Sequence, residues 1–535
     1  MTASGKEVIK NLLGQIPFAA ELYYLVRQNG HPLQTRFTLK ELQQSLPGLV
    51  AKAEVLRKES PKGKKVFIFA TLHYWIEHAA VLGVALAAQG HDVIFGFLPY
   101  ADWQKEINLF DLRRQNLYAR RILSPAESIM KVVSLFNARA PYTPLPETLV
   151  EAVQTVTNYD VQYTLQIEEV DTASDIYKLR SNRNKDAAQT MLSLLRAHHP
   201  DVVIVPNGTI QEMGIAYRVA RSLNIPTITY EFSDQRQHIW IAQNDEIMQQ
   251  NTDGVWATRK DAPLKDSELE RLRSLMASRQ RATLWENFAR RWQDTPAQGG
   301  SQARAALGLD ARPIVLLATN VLGDSLTLGR QVFSKSMAEW ISRTVQYFTG
   351  RPELQLVIRV HPGEVLMHGQ SMVSVVRSVL PRLPEHIKLI CPTDKVNTYD
   401  LIDVADLGLV YTTTVGLEMA MNGLPVIVAG QTHYRGRGFT HDPDSWVNYF
   451  KMLGAFTENP SEYHLSRSQV EKAWSYAYSF FFEYPLPFPW HLVRLPEDLQ
   501  NHPIDDVLSP EGLKQYGDTF RYLVGEPITW NKFHD

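Results

Sequence analysis

Cysteine is almost missing from this chain: its 535 residues include one, Cys391. No intrachain disulfide can form, and no thiolate cluster can hold a metal. That fits a reducing compartment. Long hydrophobic runs are missing too, since none reaches the ~18–20 apolar residues that span a bilayer. The opening stretch, MTASGKEVIKNLLGQIPFAAEL, lacks the continuous apolar core and cleavage site of a signal peptide. These absences predict a cytosolic protein whose membrane contact, if any, is peripheral at the inner face of the cell membrane. No sign of charge dominates: 55 Lys and Arg stand against 57 Asp and Glu, a net charge of −2. No global basic field therefore argues for nucleic acid. The basic runs KGKK (62–65) and ARRWQ (289–293) are short, as solvated faces usually are. HExxH, the P-loop and GxGxxG are all absent, which removes the usual support for a metalloprotease, a P-loop NTPase or an NAD enzyme. No metal and no cofactor is expected.

What is present is an ordinary globular composition, 44% hydrophobic and 21% charged. The length favours two or more domains. Residues 1–60 read as a helical, polar-amphipathic extension. From there the pattern is strand–helix–strand. KKVFIFATLH (64–73) and HDVIFGFLPY (91–100) are short apolar runs of buried parallel-strand type, and IEHAAVLGVALAAQG (76–90) is the helix between them. DVVIVPNG (201–208), a helix over 211–223 and IPTITYEF (225–232) repeat the unit. PAQGGSQA (296–303) is small, uncharged and flexible, as a linker is. Strands then resume at 313–320, 354–360, 386–391, 406–411 and 424–430, with helices near 333–349, 370–380, 397–405 and 415–422. The expected architecture is α/β, with two Rossmann-like domains facing a central cleft. The expected divisions are 1–60, 61–300, 301–480 and a tail, 481–535, that packs back on the domains. In such sheets ligands bind beyond the carboxyl ends of the strands.

The chemistry-bearing residues of the second half fall at those ends. His361 and Pro362 follow the strand LQLVIRV, where an imidazole can donate to a phosphate oxygen. Arg359, two residues earlier, points to the same sheet face. Thr412, Thr413 and Thr414 sit between a strand and a helix, where free N–H groups and hydroxyls suit phosphate. N-capping would need only one of the three. Glu418 lies one turn below Thr414, placed to accept from ribose hydroxyls, and Gly416 gives backbone room. The loop GQTHYRGRGFTHDPDSW (430–446) carries His433, Arg435, Arg437 and His441 among glycines, and either closes over the donor or is an ordinary surface loop.

In the first half, His73 with Glu77 and His78, Asn207-Gly208 with Glu212, and Glu231 with Asp234 occupy the strand ends. A general base needs hydrogen-bond reach to the acceptor hydroxyl. Spacing does not rank Glu212, Asp234, Glu77 and His73, so all four stand as candidate bases.

The motifs HPGE (361–364), YTTTVGLEMAMNGLPVIVAG (411–430) and HYRGRGFT (433–440) together resemble the bacterial capsule polysaccharide biosynthesis family. That family includes β-Kdo transferases and is similar to bacterial sialyltransferases in its His-Pro and Ser/Thr motifs. The resemblance covers residues 313–485 well, and the N-terminal half in architecture only. It implies a GT-B glycosyltransferase, independent of metal, in which His361 and Thr412–Thr414 hold the donor phosphate and Glu418 lies near the nucleotide. The implied donor is a CMP-linked acidic sugar such as CMP-Kdo, with UDP- and GDP-linked donors as alternatives. The implied acceptor is a saccharide or lipid-linked saccharide. Rival readings are a nucleotide-sugar epimerase or a CDP-glycerol-type transferase on the same fold, or a non-catalytic nucleotide- or sugar-binding scaffold within a polysaccharide assembly complex. The aromatic segment WSYAYSFFFEYPLPFPW (474–490) is read as core packing between domains, with membrane docking as the alternative.

Overall fold

In a computed structural model, the structure describes residues 3–28, 36–100, 102, 104–138, 144–286, 288 and 294–530. The basic run 289–293 lies outside them. The first half begins with helices α1 (Ala3–Gln15), α2 (Ala19–Tyr23) and α3 (Lys40–Arg57). It continues through β1 (Lys65–Thr71), α4 (His73–Ala88), β2 (Asp92–Leu98), α5 (Leu109–Leu123) and β3 (Lys131–Ser134). Then come α6 (Glu147–Leu165), α7 (Asp175–His198), β4 (Val202–Pro206), α8 (Gln211–Ser222), β5 (Thr227–Phe232) and β6 (His238–Gln243). β1 and β4 bury nearly every residue because helices cover both faces of a parallel sheet, which is why they read as unbroken apolar runs. α4 is buried nearly all round, as its Ala- and Val-rich sequence requires.

The second half holds α9 (Asp253–Arg259), α10 (Asp266–Gln280), α11 (Gly300–Ala306), β7 (Ile314–Ala318), α12 (Met337–Thr349) and β8 (Gln355–Arg359). After these come α13 (Met372–Val379), β9 (Ile387–Ile390), α14 (Thr398–Ile402), β10 (Leu407–Val410), α15 (Val415–Met421) and β11 (Val426–Val428). α16 (Trp446–Glu458) and α17 (Arg467–Tyr478) lead into a short π-helical turn, Ser479–Glu483. The chain then returns to the first sheet as β12 (Leu486–Pro487), followed by α18 (Leu495–Asn501), α19 (Ile504–Val507) and α20 (Pro510–Leu523).

Among the described residues the strands form two sheets, ordered β12-β6-β5-β4-β1-β2-β3 and β11-β10-β7-β8-β9. Pairing is parallel except for β5–β6 and β6–β12. In the first sheet the order reverses between β1 and β4, and in the second between β7 and β10; at such points two loops diverge and leave a crevice at the strands' carboxyl ends. The two α/β units facing a cleft make the GT-B arrangement.

Three parts of the sequence reading change. The edge strands β3 and β12, and β6 beside β12, were not anticipated. The segment 296–303 is docked rather than free: the Asp400 carboxylate accepts from the N–H groups of Gln298 and Gly299, and α11 begins at Gly300. Residues of α9 and α10, including Val255, Leu272 and Leu275, share a core with Val410, Leu417 and Tyr476 of the second half. The aromatic segment 474–490 is core: Tyr476, Phe480, Phe481 and Tyr484 are buried in that same cluster, and Phe488 and Trp490 in the first.

Candidate active site

The carboxyl ends of β7, β8 and β10 converge on one cavity of about 210 Å³. β7 contributes Thr319 and Asn320, β8 contributes Arg359, His361 and Pro362, and β10 contributes Thr412, Thr413 and Thr414. Glu418 and Tyr399 form its inner wall. Asp234 and Trp240 face it from the first sheet, and Phe480 and Phe481 from the crossing segment. Through Arg359, His361 and Pro362 it opens into a larger trough of about 780 Å³, lined also by Asp294, Thr295 and Pro392–Val396. A volume between ~300 and 1,000 Å³ is typical of small-molecule sites.

Local geometry sets each polar group. Pro362 starts a 3₁₀ turn, and the His361 Nδ1 accepts from the Gly363 N–H at 3.0 Å. A neutral ring so engaged carries its proton on Nε2, as a donor. The His361 N–H donates to Thr319 Oγ1 at 3.1 Å, tying the ends of β7 and β8 together. Asn320 Oδ1 accepts from the Thr412 N–H at 3.1 Å, bridging the switch point. Thr414 takes the N-cap position of α15 without a side-chain cap bond and Thr413 Oγ1 accepts from the Val415 N–H at 3.4 Å, so capping accounts for at most one of the three threonines. Three residues lining the cavity hold buried polar atoms with no protein partner: Thr412 Oγ1, Arg359 Nε and Trp240 Nε1. Buried polar groups are nearly always paired, so unpaired ones gathered at one cavity mark where a polar ligand belongs. Burial also lowers the pKa of Arg359, whose Nη1 donates to the Cys391 carbonyl at 2.9 Å.

Other donor-side candidates have different surroundings. Glu418 is ion-paired with Arg279 and accepts from Tyr399 Oη at 2.8 Å, so it lines the cavity as part of a closed polar cluster. Gly416 packs rather than lines: a Cβ there would stand 2.4 Å from Tyr434 Oη, which donates to the Thr413 carbonyl at 2.6 Å. Arg435 is spent on its own loop, donating to the carbonyls of Val428 and Pro443. Arg437 pairs with Asp253 and donates to Thr252 Oγ1 at 3.1 Å, and His433 stacks on Phe480 at 3.8 Å. The 430–446 loop does not line the cavity, against the expectation that it closes over a ligand.

Of the candidate bases, the cavity wall includes Asp234 and none of Glu212, Glu77 and His73. Glu212 is buried beside Arg180 at 3.0 Å, which also holds Asp160 at 3.1 Å. Glu77 accepts from the Leu42 N–H of α3, and burial raises its pKa to about 7. Burial lowers the pKa of His73, which starts α4. His78 is fully buried between Tyr230 Oη and the Trp490 carbonyl, and burial drops its pKa to about 3. Glu231, at the end of β5 and three residues before Asp234, accepts from Asn207 Nδ2 at 3.3 Å; burial raises it to about 7. The carboxyl edge of the first sheet also holds Leu72, Asn207 and Gln211 at positive φ, the kind of strain that gathers at functional sites. Gly208, at φ 78°, abuts Thr229 so closely that a Cβ would lie 2.4 Å from its methyl. Trp240 and Asn320 escaped sequence reading: one lies on the unanticipated β6, and the other ends β7 without a motif around it.

Among the described residues, no group of three or more His, Cys, Asp or Glu could hold a metal ion, and no helix is long and apolar enough to cross a membrane.

The chain is similar in structure to the β-Kdo 2,4 transferase of Thermosulfurimonas dismutans KpsC, at 17% identity and TM-score 0.34 over 51% of this chain and 79% of that one. The β-Kdo 2,7 transferase of the same KpsC aligns at 15% identity and TM-score 0.32 over 58% and 89%. A UDP-GlcNAc 2-epimerase from Neisseria meningitidis aligns at 13% identity and TM-score 0.24 over 77% and 97%. At such low identity and TM-score these likenesses carry no argument about function. No curated protein matches in sequence. The profile of the family described as capsule polysaccharide biosynthesis protein matches residues 282–480, which include every second-sheet strand and the His361 and Thr412–Thr414 motifs. Over those residues, about a third of the chain, the sequence is similar to the family that its motifs resemble.

Proposed function

We propose that this chain is a glycosyltransferase of capsule or surface polysaccharide synthesis, transferring a sugar from a nucleotide donor, best a CMP-linked acidic sugar such as CMP-Kdo, to a saccharide or lipid-linked saccharide. The observation that carries this reading is the gathering of His361, Thr412–Thr414 and the unpaired Arg359 Nε around one cavity at a switch point, with Asp234 opposite. His361, the threonine hydroxyls and Arg359 hold the donor phosphate and stabilise the charge it gains as the anomeric C–O bond breaks. The nucleoside lies in the adjoining trough beside Pro392–Val396. Asp234 takes the proton of the acceptor hydroxyl as its oxygen bonds to the anomeric carbon. The machinery needs no metal, because protein cations and hydroxyls neutralise the phosphate. Glu418 fixes Arg279 and Tyr399 beneath the site and offers its remaining lone pairs to the ribose.

The test combines thermal stabilisation by CMP, CDP, UDP and GDP with product analysis. A ligand that binds the folded state raises its stability as RT ln(1 + [L]/Kd). Selective stabilisation by CMP, with acceptor-dependent release of CMP from CMP-Kdo, is the expected result. Selective stabilisation by UDP or GDP moves the donor to a hexose nucleotide. Acceptor-independent conversion makes the protein an epimerase, and nucleotide binding without turnover makes it a scaffold.

A further inference from the structure

Of the twenty large hydrophobic side chains that stand exposed among the described residues, ten lie between Val8 and Val26. On α1 they are Val8, Ile9, Leu12 and Leu13; Ile16 and Phe18 follow in the turn, and Leu22, Tyr23, Leu25 and Val26 on the next helical segments. Phe18 sits at the turn between the helices with its ring 71% exposed and φ 61°, a backbone region unfavourable for a bulky residue. Apolar side chains scattered singly over a surface mean little, but a contiguous face of this kind marks an interaction site.

The pair of helices is not loose. Lys10 Nζ reaches Asp111 at 2.7 Å, and Arg113 grips the Glu21 carboxylate with two nitrogens, so α1 and α2 are held on α5 with their apolar side outward. The charge of the assembly identifies the occupant. The described side chains of residues 3–28 and 109–123 include Lys10, Arg113, Arg114, Arg120 and Arg121 against Glu7, Glu21 and Asp111, a net charge of +2 in a chain whose net charge is −2. Arg120 is exposed and lines both grooves that flank the helix pair, one of about 700 Å³ and one of about 280 Å³.

We propose that α1, α2 and the basic end of α5 form a docking surface for an anionic lipid bilayer, with the apolar face set into the headgroup boundary and Arg120 and Arg121 against lipid phosphates. An amphipathic helix that combines apolar bulk with adjacent cations has the chemistry of an interfacial element. A second copy of this chain would bring the same net positive patch against itself. The aromatic segment 474–490, the other apolar candidate, is buried and unavailable.

This surface does not rest on the donor assignment, and its test requires no turnover. The full chain is floated with phosphatidylglycerol-rich vesicles and with pure phosphatidylcholine vesicles, and its mass in solution is measured over a range of concentrations. Binding to the anionic vesicles is expected, with loss of about tenfold or more in Leu12→Glu, Ile16→Glu and Arg120→Glu and in high salt. All three side chains are exposed, so unchanged melting temperatures will show that the variants fold. Equal binding of the parent and variants, or no binding to anionic vesicles, overturns the proposal. A concentration-dependent dimer abolished by Leu12→Glu also overturns it and assigns the face to a second copy.

Discussion

Arg180→Met is the sharpest available test of how the first half is held together, and it also tests the choice of base. Arg180 is 1% exposed and donates from Nε and Nη2 to Asp160 Oδ2, at 3.2 and 3.1 Å, and from Nη2 to Glu212 Oε1 at 3.0 Å. Both carboxylates are as buried as the guanidinium. Methionine replaces much of the stem but leaves two carboxylates facing each other without a cation. Removing one partner of a buried ionic cluster costs about 3–5 kcal/mol, against a total stability of ~5–15 kcal/mol. The melting temperature should fall by roughly 6–20 °C. The loss should depend on pH with a definite sign. Burial already raises the Asp160 pKa, and Arg180 is the main influence lowering it. Without Arg180 the folded-state Asp160 carboxyl sits further above its unfolded value. Its protonated form then suits the fold, so stability is kept at low pH and lost as pH rises through the raised folded pKa. The variant should recover relative to the parent as pH falls through that raised value, by up to ~1.4 kcal/mol per pH unit for each proton taken up. Urea denaturation at several pH values reads this directly. A variant that melts with the parent and shows no recovery in acid would refute the structural role of the cluster, and would return Glu212 to the candidate bases.

Asp234→Asn should cut transfer by about 10²–10⁴-fold while leaving nucleotide-induced stabilisation intact, as loss of a general base does. His361→Ala and Thr412→Val should weaken stabilisation by CMP, and Thr412→Val should change thermal stability without ligand little, because Thr412 Oγ1 has no protein partner to lose. Glu77 and Glu231 both have folded pKa values raised to about 7 by burial. Their contribution to stability is present below the unfolded carboxyl value and lost as pH rises towards the folded value, so the parent should soften between about pH 4.5 and 7 and level off above, and Glu77→Gln with Glu231→Gln should flatten that slope in thermal melts. Arg437→Met should lower the melting temperature without changing nucleotide affinity; a loss of affinity at unchanged stability would restore the loop to the donor site.

The central strands, and the residues at their ends that meet at the cavity, were legible because their signals are local. A buried parallel strand is an apolar run, and a His-Pro or a triple threonine at its end needs no knowledge of the partner strand. β3, β6 and β12 were not legible for the opposite reason. KVVS, HIWIAQ and the two-residue Leu486–Pro487 are short, lie at or toward one side of the sheet, and become strands only when a neighbour is presented to them. Ranking of the bases failed similarly: Glu212 and Asp234 each follow a strand in the sequence. Only folding shows that one faces Arg180 across the α7–α8 packing and the other faces the cavity.

The glycine-rich loop shows why counting cations in a sequence overstates ligand sites. Its His and Arg residues look like phosphate ligands, yet the chain crosses between its two halves twice, near Gln243–Asp253 and again near Tyr478–Leu486, and those crossings must be held in register. Tyr476 Oη donates to the His433 carbonyl at 2.6 Å and lies 2.7 Å from Thr252 Oγ1. Arg437 reaches Thr252 and Asp253 from the other side, and His433 stacks on Phe480, which lines the cavity. The loop thus binds the first crossing to the helix that precedes the second. A buried polar network of this kind is strong only when all its members are present. Arg435 and Arg437 are thereby engaged by protein partners, and although Arg437 Nε and His433 Nε2 lack one, they lie off the cavity, whereas Arg359 carries its unpaired Nε at the cavity wall and His361 stands exposed at the mouth of the trough.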